Sequence, residues 1–452
     1  MTSDNEIYQY LVVKPDKALR NANNRNRANE VESIIQKWLR EIGLPLPVDG
    51  AFRVTALPSR WQVVDREVKG SDKSEVPTLN ISLAFTSEEI LRKYREVLNE
   101  PQTASRFLGI GADVLLESTD SWCPSEAADP IFGDRRDAHA YIRLDVLERE
   151  GLTGRGVNVV IVDRALDPSR IRNFGGGWRH VTADTTVVPT PENHAMMIAR
   201  NVESIAPDAT IWECAILPER ITDIQQFVGY AHGAYDRMLL DIARWRQNGT
   251  RTGPWVFVNA WAIYNRKYEF PLGDYTANPN HFFNQVMNRV VAEKIDVVFA
   301  AGNCGQFCPK NRCGLTDRGP GRSIWGANSH PQVLTTGAVR TDGLWLGYSS
   351  QGDGNLHKHK PDLCVPSQFA EGYDRHLVNT GTSASCAIAG GVIAALRSRP
   401  GWDAYTISPS DLRGYLIAHA RKTGGLKTWD RRLGNGILDV ELAYAAIKQD
   451  YP

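Results

Sequence analysis

Residues 379–385 read Asn-Thr-Gly-Thr-Ser-Ala-Ser, and a run of small residues with helical character follows at once, over residues 384–395. A tight glycine-containing turn therefore hands over directly to a helix, and Thr382 or Ser383 is placed to cap it. The unpaired N–H groups and the dipole of that helix end would face any anion formed beside Ser383. This is one way to set a nucleophile next to an oxyanion site. On its own it does not establish one, because serines at helix starts mostly serve as caps. Its weight comes from the segments that precede it.

Residues 157–163 (Val-Asn-Val-Val-Ile-Val-Asp) form a short apolar run ending in Asp163. The pattern is that of a buried parallel strand with an acid at its C-terminal end, where open α/β sheets hold their ligands. An aspartate there is otherwise a turn former or a cap. His194 opens an apolar helical stretch, a place where a lone histidine is structural more often than catalytic. Residues 297–303 (Val-Val-Phe-Ala-Ala-Gly-Asn) read as a strand delivering Asn303 at its tip, with a side-chain amide able to donate to an oxyanion.

Taken together, Asp163, His194, Asn303 and Ser383 resemble the subtilisin-like serine proteases (subtilases), in chain order and in flanking sequence. Residues 151–157 (Gly-Leu-Thr-Gly-Arg-Gly-Val) and 163–167 (Asp-Arg-Ala-Leu-Asp) are similar to the family's lead-in and its Asp-Ser/Thr-Gly-Ile-Asp block. Residues 205–210 (Ile-Ala-Pro-Asp-Ala-Thr) resemble the Val-Ala-Pro-x-Ala turn after the histidine helix. Residues 360–366 (Lys-Pro-Asp-Leu-Cys-Val-Pro) resemble the Lys-Pro-Asp-Ile-x-Ala-Pro block, and residues 434–439 (Gly-Asn-Gly-Ile-Leu-Asp) the closing Gly-x-Gly-x-Val-Asn element. The likeness covers about residues 141–450. It implies an α/β fold, a subtilisin-like parallel sheet flanked by helices. Four positions depart from the family. Arg164 and Ala165 replace the Ser/Thr-Gly after the aspartate, Met197 stands where a second histidine is usual, and Ala387 stands where a proline is usual.

The resemblance implies acyl transfer. Ser383 would attack a peptide carbonyl while His194 takes its proton and later protonates the leaving amine. Asp163 would hold the imidazole tautomer, and Asn303 with the Ser383 N–H would hold the oxyanion. His232 is the rival base, but it lacks the following Ala-Pro turn and lies in a helical stretch. Residues 255–262 occupy the place of the family's Asn-x-Ser-Leu-Gly segment, against which an extended substrate pairs. Asn259, Ala260, Trp261 and Ala262 are the expected substrate-binding residues, with bulky Trp261 and Ala262 in place of Leu and Gly changing the subsites; Trp261 is alternatively a strand-end aromatic of the core.

The 452-residue length suggests two domains, and a balance of 52 basic against 52 acidic residues gives no electrostatic reason to expect nucleic acid or an anionic membrane. The basic run at residues 20–27 reads as a solvated loop. No stretch is long and apolar enough to span a bilayer, and the first residues carry neither a basic nor an apolar export signal. With an odd count of seven cysteines, this points to a reducing cytoplasm. Cys304, Cys308 and Cys313 follow Asn303 at spacings too wide for the usual zinc pair, so free thiols or one local disulfide are expected there and no metal or cofactor. Cys304 as a nucleophile would lack a neighbouring histidine in sequence.

Residues 1–118 read as a separate unit in the order β-α-β-β-α-β, a smaller α+β domain of ferredoxin-like pattern. The strands fall at residues 8–14, 52–64, 79–85 and 109–117, and the helices at residues 28–42 and from Ser87 onward. The resemblance implies a propeptide that assists folding or inhibits, with residues 112–118 extended in the substrate cleft; an accessory domain is the alternative. Residues 119–140 are the linker, open to cleavage between Ser118 and His139, and residues 141–452 the catalytic domain. The expected partners are a protein or peptide substrate and the chain's own N-terminal domain. A non-catalytic subtilase-like binding protein and a peptide ligase or macrocyclase are the alternative functions. An α/β-hydrolase-type esterase would need glycine where Ser385 stands.

Overall fold

The computed structural model describes residues 7–24, 28–44, 61–65, 78–85, 87–114, 117–118, 131–180, 193–217, 228–267, 269–306, 312–372, 374–423, 425 and 427–452. Residues 52–60, 115–116 and 119–130, Arg25 to Arg27 of the basic run, and Cys308 lie outside the described residues.

The N-terminal elements are β1 (Ile7–Val13), α1 (Lys17–Asn24), α2 (Ala28–Glu41), β2 (Trp61–Asp65), β3 (Leu79–Phe85), α3 (Glu88–Leu98), β4 (Phe107–Ala112) and β5 (Glu117–Ser118). Residues 20–24 of the basic run are helical and not loop. Ser87 caps α3 by accepting from the Ile90 N–H, as its position before two glutamates predicts. β3, β1 and β4 form an antiparallel sheet with β1 in the centre. β1 is buried on both faces, because alternate side chains serve two different cores. Leu11 and Val13 pack on the helices of their own domain, with Val31, Ile35 and Leu39 of α2. Tyr10 and Val12 point the other way, into the core of the catalytic half.

That half contains α4 (Arg135–Tyr141), α5 (Asp145–Arg149), β6 (Asn158–Asp163), β7 (Phe174–His180), α6 (His194–Glu203), β8 (Thr210–Ala215), α7 (Val228–Gln247), β9 (Trp255–Asn259), β10 (Trp261–Ala262) and α8 (Phe282–Ala292). It continues through β11 (Ile295–Ala300), β12 (Leu334–Val339), β13 (Leu363–Pro366), β14 (Phe369–Glu371), β15 (Asp374–Asn379), α9 (Gly381–Arg397), α10 (Pro409–Ala418) and α11 (Val440–Asp450). Its sheet runs β13-β12-β11-β9-β6-β8-β7, all parallel. Val159 and Ile161 of β6 face the core with α6 and α9, while Val160 and Val162 face the core with α7 and α8. Two covered faces are why these strands read as unbroken apolar runs. α9 is buried along its whole length, and Gly390 lets it lie against β9: a Cβ there would come within 2.5 Å of Val258 Cγ2.

The two halves join at three places. The sheet of β1, β3 and β4 covers α7 and α8. β5 pairs antiparallel with β10, Ser118 opposite Trp261 and Glu117 opposite Ala262. β2 leaves the N-terminal sheet altogether and adds an antiparallel eighth strand to the β7 edge of the catalytic sheet. The N-terminal unit is thus a small α+β domain whose second strand is lent to its neighbour. Residues 131–141, which the sequence assigns to the linker and the first catalytic residue, pack on the catalytic half: Phe132 N–H donates to the Gln368 carbonyl, and α4 follows. Among the described residues no helix is long and apolar enough to cross a membrane.

Candidate active site

Asp163 ends β6 and His194 begins α6, and Asn193 ties the two together. The Asn193 side-chain oxygen caps α6 by accepting from Met196 N–H at 2.9 Å, while its amide donates to the Ala165 carbonyl at 2.7 Å. His194 Nδ1 then lies 2.9 and 3.0 Å from the two Asp163 oxygens, and its Nε2 lies 2.9 Å from Ser383 Oγ. A carboxylate only accepts, so Nδ1 carries the proton and Nε2 is left to accept from the serine hydroxyl. All three side chains are buried. The chain order Asp, His, Ser becomes a linear relay in space.

Arg164 and Ala165 leave the carboxylate with one local backbone donor, the Arg164 N–H at 2.8 Å. The next amide in the loop, Leu166 N–H, goes to Glu213 at 2.8 Å. Glu213 is a carboxylate in the middle of β8, bonded to Arg179 and raised above the usual range by its burial. The sequence reading missed it, although a glutamate inside Thr-Ile-Trp-Glu-Cys-Ala is a visible signal: a charge in a buried strand needs a partner and a reason.

Ser383 is not the cap of α9. Thr380 stands at the N-cap without a side-chain cap bond, Gly381 makes the turn with φ +71°, and Ser383 is the third residue of the helix. Thr382 turns to Asn303 instead: its N–H and its hydroxyl both donate to Asn303 Oδ1 at 3.0 Å, and its Oγ accepts from Gly302 N–H at 3.1 Å. The oxygen end of the amide is thus committed to Thr382, the residue before Ser383 in the first turn of α9, and the NH2 end is the part of the side chain able to donate. An amide donor and a helix N-terminus are the composition and polarity that an oxyanion site requires.

The expected substrate residues divide by atom. The backbone of Trp261 and Ala262 is the strand that β5 occupies. The Ala260 carbonyl lies 3.5 Å from Ser383 Oγ. The Trp261 indole, however, is wholly buried, with its ring 4.9 Å from that of Phe299, so the side chain is core and not subsite. Asn259 is also internal, accepting from the Tyr235 hydroxyl and donating to the Val298 carbonyl. Cys304 and Cys313 form a disulfide, the local bridge that was one of the sequence alternatives, and Cys214, Cys364 and Cys386 are buried free thiols. Among the described residues no group of three or more His, Cys, Asp or Glu side chains is set to hold a metal ion. His232 lies in α7 under the N-terminal sheet, packed against Tyr10.

The subtilase family model (Peptidase S8) matches residues 212–436. Subtilisin E of Bacillus subtilis (strain 168) is 23% identical over 313 residues, covering 67% of this chain and 69% of its own. Subtilisin J of Geobacillus stearothermophilus gives the same figures. Fervidolysin from Fervidobacterium pennivorans, a keratinolytic enzyme related to subtilisin, shares the fold with a TM-score of 0.55 at 13% identity, over 98% of this chain and 62% of that one. The chain belongs to the subtilase family and is a subtilisin-like serine protease.

Proposed function

We propose that this protease is an endopeptidase acting through Ser383, His194 and Asp163, with Asn303 as side-chain donor to the oxyanion. The observation that carries the reading is the His194 imidazole held between Asp163 and Ser383 at 2.9–3.0 Å. The histidine takes the serine proton as Oγ adds to the carbonyl, and returns it to the leaving amine. Asp163 stabilises the imidazolium formed in between. A fluorophosphonate probe should label the wild-type protein, and Ser383→Ala should abolish labelling without lowering the melting temperature. Labelling that survives in the variant sinks the assignment.

The N-terminal domain acts on this reading as an inhibitor that the enzyme itself cuts. β5 supports it, because an antiparallel strand on β10 has the pairing an extended substrate would use. Going from Glu117 to Ser118 moves the chain from Ala262 toward Trp261, the neighbour of the Ala260 carbonyl beside Ser383. The bond on the C-terminal side of Ser118 is therefore the first candidate for the cut. Intact mass of the purified wild-type chain should show cleavage there or in the following linker, with Ser383→Ala remaining whole. A wild-type chain that stays whole makes the domain a permanent module. Location in a reducing cytoplasm is likewise a proposal: alkylation of Cys304 and Cys313 in freshly lysed cells supports it, and a bridged pair counts against it.

A further inference from the structure

Asn303 is held at more points than its Thr382 contacts. Its Nδ2 donates to the Tyr264 hydroxyl at 3.4 Å, and the same oxygen accepts from Arg312 Nη2 at 3.1 Å. The Arg312 guanidinium also stacks on the Tyr264 ring, 4.1 Å from its centroid. Tyr264 is 1% exposed, so both interactions occur out of bulk water, where a charge and a hydrogen bond act more strongly than at a surface. The Cys304–Cys313 bridge ties the Arg312 end of the loop back to its Asn303 end. Cys304 follows Asn303 in the chain, Cys313 Sγ lies 3.8 Å from the Asn303 carbonyl, and Arg312 immediately precedes Cys313. The Tyr264 carbonyl in turn accepts from Gly314 N–H at 2.9 Å.

A side-chain amide has two N–H donors in one plane. With Oδ1 fixed by Thr382 and one N–H directed at Tyr264, the plane is set and the second N–H has one direction left to it. We propose that Tyr264 and Arg312 are positioning residues for the oxyanion donor. Tyr264 sets the orientation of the Asn303 amide, and Arg312 sets Tyr264 and brings a positive charge two hydrogen bonds from that amide. This rests on Asn303 being that donor.

The test is the kinetics of phosphonylation of the full chain by a fluorophosphonate, with kinact and KI resolved. Asn303→Ala should lower kinact by about 100-fold or more, as loss of an oxyanion donor typically does. Tyr264→Phe removes one oxygen and keeps the ring; it should lower kinact by about 5- to 20-fold with KI within about twofold, an effect sized as part of a full donor loss. Arg312→Gln should do the same, and Arg312→Lys should restore part of the rate because the charge returns without the planar stack. The deciding arm is Tyr264→Phe in the Asn303→Ala background, where it should change nothing further. A Tyr264→Phe rate equal to wild type, or an equal loss with and without Asn303, overturns the positioning role. An Asn303→Ala variant of undiminished rate overturns the donor assignment itself, which separates the two failures. Should the Tyr264 variant fail to fold, Arg312→Gln in the same two backgrounds decides the matter.

Discussion

Among the described residues, two buried histidines have a ring nitrogen within 3.5 Å of a carboxylate oxygen, and only one is arranged for proton transfer. His194 has both ring nitrogens engaged in opposite directions, one toward Asp163 and one toward Ser383. His232 faces Asp236 one helical turn along α7, at 3.5 Å. That carboxylate is already engaged by Arg289 at 2.6 Å, and the other histidine nitrogen, Nδ1, has no hydrogen-bond partner among the described residues. Its neighbours are rings: Tyr10 edge-on at 5.8 Å and Phe282 stacked at 6.3 Å. A histidine and an acid within a few ångströms are therefore not a catalytic pair. What distinguishes His194, the proposed base, is an acid with no competing cation among the described residues and a hydroxyl on the far nitrogen.

The sharpest way to break this comparison is to remove each ring. His194→Ala should cut kcat/KM by about 10,000-fold or more, as loss of a triad member does, while His232→Gln should leave it undiminished. Peptide hydrolysis by the two variants checks this, and comparable losses would make the two regions functionally alike.

The second prediction concerns the interface around His232. Asp274 is nearly buried; it takes Arg95 of α3 at 2.6 Å and the Ala112 N–H at the end of β4 at 2.7 Å. Asp274→Ala would leave that arginine and that amide without their acceptor and should weaken docking of the N-terminal domain by about 3 kcal/mol, the usual scale for breaking a buried ion pair. Thermal denaturation of the full chain reads this out, and an unchanged melting temperature would show that the interface does not depend on the ion pair.

The third and smallest effect is a pH dependence. His281 donates to the Ala112 carbonyl at 3.1 Å, and burial pushes its pKa from 6.5 to about 4. Asp274 opposes that shift, while His232 and Arg95 add to it. Burial also lowers His232. The undocked state therefore takes up protons that the docked state refuses. Docking should be at full strength above about pH 6.5 and weaken as the pH falls toward 4. His281→Gln should flatten the acid limb of a melting-temperature profile, and a profile unchanged by the substitution would rule His281 out as its origin.

What the sequence made legible was local. Asp163, His194, Asn303 and Ser383 each sit in a run of a few residues whose turn, strand tip or helix start already limits where the side chain can go. Features that depend on distant partners were not legible in the same way. Nothing in Trp261 itself says that Phe299 and Phe283 will enclose its ring, because those partners come from elsewhere in the chain. Tyr264 and Arg312 carry no motif; they are far apart in the chain, and Arg312 reaches Tyr264 from a loop that a disulfide closes. The helix cap was misassigned to Thr382 or Ser383 for a related reason. Capping preference weighs the residue alone, whereas Thr382 is drawn away by Asn303 across the cleft.

The borrowed edge strand bears on how this chain reaches its native state. β2 pairs with a strand more than a hundred residues downstream, so the catalytic sheet cannot be completed until both the N-terminal unit and β7 have been made and brought together. Contacts of such long range slow folding, because the entropy of closing the intervening loop is spent before the pairing returns it. Until β2 arrives, β7 presents an open edge carrying Gly175, Gly176 and Gly177, with no charged side chain over that stretch to deter pairing with another molecule. A chain synthesised without its first domain would thus carry an unprotected strand, and its expected fate at high concentration is self-association.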